Sequence, residues 1–199
     1  MDTYRTIASP SSARYTVKMS RFLAFAVPAT TAEAAKQEVK RIQNQYHDAR
    51  HVCWAYMLGH KRDIFQVNDN GEPSGTAGKP ILGQINSLEL TDVVVVVVRY
   101  FGGIKLGTGG LIDAYRTAAR MALDEAQIET RHAMGELRVI CPYLNLNAVM
   151  GIIKTMNLQI LEQNFDNICT FRLGVRLDNL EEAQVRLGEH STVEVGTEG

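Results

Sequence analysis

Cysteine, long apolar runs and a surplus of one charge are all scarce in this sequence, and each scarcity excludes something. The three cysteines, Cys53, Cys141 and Cys169, are widely separated and never in Cys-x-x-Cys spacing. They give no disulfide framework and suit a reducing compartment. No stretch approaches the roughly 18 apolar residues of a membrane span. Arg21 followed by Phe22 to Pro28 starts too late for a secretory leader and reads as a strand. A cytoplasmic protein without a membrane partner is expected. The 21 Lys and Arg against 22 Asp and Glu leave a net charge of −1, which argues against a broad, strongly basic surface. DNA is not an expected partner.

Metal and catalytic patterns are equally thin. His47 and His51 stand four apart, as two zinc ligands on one helical face would, but no third ligand accompanies them and His51 begins a strand. Cys53 shares a strand face with His51 but lacks a third group to orient a base, so it reads as a small buried hydrophobe. Asp69 and Glu72 are one acid pair without further ligands, a weak magnesium pattern. No metal, cofactor or catalytic residue is assigned.

What the sequence does hold is a strand, a glycine-rich turn and a helix. Val93 to Val98 are six consecutive valines. A solvent-facing strand alternates apolar and polar residues, so an unbroken β-branched run predicts a strand covered on both faces. Five glycines follow, Gly102, Gly103, Gly107, Gly109 and Gly110, and then a helical stripe of Leu111, Tyr115, Ala118, Ala119, Ala122, Leu123 and Ala126. The loop fits neither a Walker A pattern nor a dinucleotide fingerprint, since Ile112 stands where glycine or alanine is required. Two readings stay open. The glycines permit positive φ and close packing, or their amides, with Arg99, Lys105, Arg116 and nearby Arg120, hold a phosphate-type ligand or an RNA backbone.

At 199 residues, with 45% hydrophobic and 22% charged residues, the chain fits one ordinary globular domain or two small ones. Residues 1–134 carry 16 Lys and Arg against 13 Asp and Glu, whereas residues 135–199 carry 5 against 9. The first part is therefore the better match for an anion. Within it, Tyr4 to Ile7 is an edge strand after which Ser9 to Ser12 stays loose, and Tyr15 to Val27 is a single strand. Thr30 and Glu33 form a capping box for a helix along Ala35, Val39 and Ile42, with Lys36, Lys40 and Arg41 on its solvated face. His51 to Leu58 and Ile64 to Val67 are strands. The polar loop 68–80 is dense in turn residues, Pro80 to Leu88 is a short helix, and a long helix runs from Leu111 to near Gln127. From Glu136 the order restarts as βαββαβ, the ferredoxin-like plan, with Asp178 and Glu181 capping the last helix. The boundary falls near Arg131 to Gly135, giving domains 1–133 and 134–199. Phe171, Leu173, Val175 and Leu177 face the core. The opposite face, with Thr170, Arg172, Gly174 and Arg176, lacks the aromatic platform of an RNA-recognition motif.

Three ordered motifs carry a family likeness. Asp48-Ala-Arg-His51-x-Cys53-x-Ala55-Tyr56 comes first, then Asn70-Gly71-Glu72-Pro73-x-Gly75-Thr76-Ala77-Gly78-x-Pro80. Last comes Val98-Arg99-Tyr100-Phe101-Gly102-Gly103-x-x-Leu106-Gly107-x-Gly109-Gly110-Leu111. Together they closely resemble the Impact family in its bacterial YigZ-type form, most strongly over Tyr15 to Ala126. The resemblance implies an α+β protein. The first domain would be similar to domain IV of elongation factor G and a ribosomal-protein βα fold, and the second similar to domain V. It also implies a non-enzymatic regulator of translation whose partner is RNA or a ribosome-associated factor. The site would be the anion-binding loop of Arg99, Gly102, Gly103, Lys105, Gly107, Gly109, Gly110 and Arg116, beside a motif loop of His51, Glu72, Gly75, Thr76, Gly78 and Lys79. Eukaryotic members reach a translation-factor kinase pathway with an added RWD domain, which is not read here. Members tend to carry two acids before Gly-Glu-Pro. Here the pair is Asp69-Asn70, which weakens any role needing two carboxylates. The alternative is a nucleotide- or phosphate-binding enzyme using the same loop, with Glu72 or Asp113 as its acid or base.

Overall fold

The computed structural model describes residues 2–198. The elements of the first part are β1 (Thr3–Ile7), β2 (Ser11–Val17), β3 (Ser20–Pro28), α1 (Ala32–Gln45), β4 (His51–Leu58), β5 (Ile64–Asn68), α2 (Gly78–Ser87), β6 (Val93–Tyr100), α3 (Gly107–Asp124) and β7 (Ile128–His132). The second part holds β8 (Met134–Cys141), α4 (Leu146–Thr155), β9 (Gln159–Phe165), β10 (Cys169–Arg176), α5 (Leu180–Leu187) and β11 (Glu194–Glu198). The chain is α+β and its sheets are antiparallel. It divides into two compact units, Tyr4–Arg131 and a second that runs from His132 onward with the first three residues.

In the first unit, β6 is the middle strand of a five-stranded sheet ordered β2-β3-β6-β4-β5. All six valines are fully buried. Val93, Val95 and Val97 pack with Ile81 and Ile85 of α2 and with Leu111, Tyr115 and Ala118 of α3. Val94, Val96 and Val98 pack with Ala35, Val39 and Ile42 of α1. The sheet thus has a separate core on each face, as the unbroken run requires. Each buried valine is worth roughly 1.5–3 kcal/mol relative to exposure.

Several boundaries differ from the sequence reading: Ser11 and Ser12, expected as loose, open β2, and α2 starts at Gly78 rather than Pro80. The stretch expected as one strand from Tyr15 is a hairpin, with Val17 paired to Ser20 across a two-residue turn. Lys18 and Met19 take φ of 44° and 65° there, the primed-turn conformation that suits the strand twist. Neither residue is the usual Asn or Gly, so the turn left no mark in the sequence. The cap of α1 is Thr31 rather than Thr30; its Oγ1 accepts from Ala34 N at 3.1 Å. Helix α3 begins at Gly107, so Gly107, Gly109 and Gly110 form its first turn, and it ends early enough for β7 to pair with β1.

The second unit follows the order β-α-β-β-α-β with its sheet ordered β11-β8-β10-β9. Leu137, Val139, Phe171, Leu173 and Val175 face a core shared with Val149 and Ile153 of α4 and Ala183 and Leu187 of α5. Arg172 on the opposite face lies 3.5 Å from Glu136 and 3.6 Å from Glu162. A short 3-10 turn, Leu177–Asn179, precedes α5, whose N-cap Asn179 makes no side-chain bond. The expected Asp178 cap is therefore not used.

Candidate functional site

Strand alternation decides where the first charged residue after the valines goes. Val93, Val95 and Val97 face α2 and α3, so Arg99 faces that way too, and it is only 7% exposed. A buried guanidinium needs an anion. Glu72, from the loop between β5 and α2, supplies it: Arg99 Nη1 donates to Glu72 Oε1 at 2.7 Å. The same oxygen accepts from the Tyr115 hydroxyl of α3 at 2.6 Å. Arg99 Nε is buried without a partner. The guanidinium carbon lies 5.8 Å from the Phe22 ring centre and 5.7 Å from that of Phe101.

Cys53 completes this buried network. Its Sγ lies 3.0 Å from the Asp69 carbonyl and 3.4 Å from the Tyr115 hydroxyl. Burial pushes the thiol up to about 12, a hydrogen bond with Tyr115 only partly opposing it. Burial also raises Tyr115. Both groups stay protonated at neutral pH, so Cys53 is no nucleophile there.

Asp69 holds the Glu72 loop in shape. Its carboxylate accepts from Gly75 N at 2.8 Å, Ala77 N at 3.1 Å and Gly78 N at 2.8 Å. Burial works to raise its pKa, but the three backbone donors outweigh it and hold the carboxyl below its usual range. These amides lie at the start of α2, so Asp69 also complements that helix terminus. Asn70 ties the loop to β4, accepting from Val52 N through Oδ1 at 2.9 Å. Its carbonyl lies 2.9 Å from His51 Nδ1. A carbonyl only accepts, so Nδ1 carries the hydrogen of this bond. Thr76 bonds the Pro73 carbonyl at 2.6 Å.

Above this network lies a cleft of about 540 Å³ lined by β3, β4 and β6 residues and by the α1–β4 and β6–α3 loops. Register explains its walls: His51 pairs with Arg99 and Arg21 pairs with Tyr100. Arg21, Arg50 and Lys105 line it, and none makes an ion pair among the described residues. Its one acid, Asp48, accepts from the Tyr100 hydroxyl at 2.7 Å. That bond lowers Asp48 and raises Tyr100. Arg21 sits 4.9 Å from the Tyr100 ring centre.

The residues singled out in the sequence separate into three places. Arg99, Glu72 and Tyr115 form the buried network, with Gly75, Thr76 and Gly78 in the braced loop and Lys79 exposed beside it. Lys105 and His51 line the cleft, along with part of Arg99. Gly107, Gly109 and Gly110 form the first turn of α3, which has no side-chain cap and no acid. Gly103 is exposed nearby, whereas Gly102 is already engaged, its N–H donating to Ser20 Oγ at 3.1 Å. Arg116 pairs with Asp113 at 3.1 Å on the surface and does not line the cleft. Arg99 therefore faces inward to a carboxylate instead of outward to a phosphate. The sequence reading missed Arg21, Arg50 and Phe101 as cleft residues. Their only signal was cation and aromatic content, and it needed strand pairing to become a site.

Fold and cleft together define an α+β protein of antiparallel sheets whose first unit carries a cation-lined cleft above a buried Arg–Glu–Tyr cluster. Residues 18–123 match the Impact N-terminal domain. The chain is 31% identical to the IMPACT family member YigZ of Escherichia coli K12 over 96% of its own length and 95% of that protein's. It is 34% identical to an IMPACT family member of Haemophilus influenzae, covering 88% of this chain and 86% of that one. A crystal structure titled only as that of a hypothetical protein superposes with a TM-score of 0.79 at 28% identity, covering 100% of this chain and 98% of the other. This chain belongs to the Impact family.

Proposed function

We propose that this protein is a non-enzymatic, cytoplasmic regulator of translation that binds RNA, on its own or within a ribosome-associated complex. The observation that carries the reading is the cleft, where Arg21, Arg50 and Lys105 face a ligand-sized space with a single acid already tied to Tyr100. The first turn of α3, which starts two residues after Lys105, has no side-chain cap and no acid, although its glycines do not line the cleft. Family resemblance supplies the connection to translation; the side chains supply the anion site. Reading the first unit as similar to elongation factor G domain IV, and the second as a ferredoxin-like partner similar to domain V, belongs to the same proposal. The element order of the second unit supports it. The enzymatic alternative is less well served, because Glu72 is held by Arg99 and Tyr115 while Asp113 lies outside the cleft on Arg116.

The test is a binding titration of labelled RNA against ionic strength. Affinity should fall steeply as salt rises, and Lys105→Ala or Arg50→Ala should flatten the log–log slope by about 0.7–0.9 for each phosphate contact removed. Affinity indifferent to salt and to both substitutions would remove the proposal. A nucleotide-specific thermal shift with no RNA binding would favour the enzyme instead.

A further inference from the structure

Phe101 has no part in the anion chemistry above, yet it is 56% exposed at the cleft rim, immediately after a strand whose valines are fully buried. It is also backed on both sides. The Arg99 guanidinium sits 5.7 Å from its ring centre, and Arg99 is itself fixed by Glu72 at 2.7 Å. Glu72 is braced in turn by Tyr115 at 2.6 Å. On the chain's other side, Gly102 is bonded to Ser20 and pressed so closely on the β2–β3 turn that a Cβ there would lie 2.1 Å from the Met19 carbonyl carbon. An exposed aromatic held this way loses little freedom when something stacks on it.

We propose that Phe101 is a stacking platform for an unpaired base, so that the cleft takes single-stranded rather than duplex RNA. This rests on the RNA reading above and narrows it. Aromatic faces beside a cationic track are how single strands are held without sequence preference. A base in an A-form duplex is stacked on its neighbours and offers only its edges. Arg50 and Lys105 border the same opening as Phe101, so one nucleotide can place its base on the ring and its phosphate on the cations. A polyanion is favoured over a protein partner, because Arg21, Arg50 and Lys105 line the same opening as the ring and none makes an ion pair among the described residues.

Three probes decide it: an RNA strand of about 12 nucleotides, the same strand annealed to its complement, and an abasic strand of equal length. Each is titrated by anisotropy against the full chain, Phe101→Ala, Phe101→Trp and Lys105→Ala. The single strand should bind tighter than the duplex. Phe101→Ala should weaken the single strand by roughly 5- to 150-fold while leaving the abasic strand unchanged, and Lys105→Ala should weaken all three. Phe101→Trp should retain binding and show quenched emission on the single strand; the native Trp54 is only 6% exposed and contributes little to that signal. This variant decides the matter if Phe101→Ala does not fold. Phe101→Ala binding like wild type, with Lys105→Ala still impaired, would overturn stacking and leave RNA binding standing. Failure of all three probes to bind would overturn both. Loss of only a ribonuclease-resistant protein contact in Phe101→Ala would also overturn stacking.

Discussion

Arg99 and Glu72 meet at 2.7 Å with side chains only 8% and 3% exposed, at the point where the valine strand leaves the core. The pair is a brace between a strand and a loop 27 residues earlier in sequence. A buried pair of this kind adds little or no stability over a well-packed apolar substitute but leaves a costly orphan when halved.

Glu72→Ala or Arg99→Ala should therefore cost about 3–5 kcal/mol in urea unfolding. The double variant Glu72→Leu with Arg99→Met should recover a good part of that loss. Single variants within about 0.5 kcal/mol of wild type would show the pair to be energetically idle.

Gly102 and Gly103 are neighbours with different constraints. A Cβ at Gly102 would sit 2.1 Å from both the carbon and the oxygen of the Met19 carbonyl, so Gly102→Ala must displace the β2–β3 turn. A loss of more than about 3 kcal/mol is expected. At Gly103 a Cβ meets nothing within 4 Å and only the φ of +91° is strained; about 1 kcal/mol should be lost. Thermal melts of the two variants should rank them in that order.

Asp69 makes the first unit sensitive to acid. Its folded pKa lies below the ordinary aspartate value of 3.8, so its contribution is present above that value and is lost as pH falls through the lower folded pKa. Asp69→Asn should be destabilised at neutral pH by roughly 2–4 kcal/mol and should show a shallower acid limb than wild type. Urea midpoints across the acid range measure both effects.

Cys53 gives the opposite limb. Its folded pKa of about 12 is above the ordinary thiol value of 9.0, so the unfolded chain ionises first and stability declines as pH rises past about 9. Tyr115, also raised, adds to that decline at higher pH. Native protein should resist thiol reagents at neutral pH, since Cys53, Cys141 and Cys169 are all buried. Cys53→Ala should lose less stability than wild type between about pH 8 and pH 10; equal losses would assign the alkaline limb elsewhere.

Legibility in the sequence followed how local each signal is. Six consecutive valines announce a strand covered on both faces, because no half-exposed strand tolerates them, and both cores are there. The order of elements in the second unit was equally plain from its hydrophobic periods. The turn at Lys18–Met19 was hidden because its positive φ falls on residues that do not advertise it. Arg99 was placed facing solvent on charge alone, although continuing the alternation from Val97 would have turned it inward. Arg21 comes from a different segment than Asp48 and Arg50, and only the pairing of Arg21 with Tyr100 and of His51 with Arg99 makes them neighbours.

The tight seat of Gly102 on Met19 also makes the cleft mechanically lopsided. On one side, backbone rests on backbone and the hairpin cannot shift without dragging the exit of β6 along. On the other, a Cβ at Gly103 or Gly107 would meet nothing within 4 Å, so the backbone there leans on no neighbour. Lys105 stands between those two open glycines, whereas Arg21 follows Ser20 at the seated end of the hairpin. The cleft is therefore crowded on its hairpin side and open on its loop side.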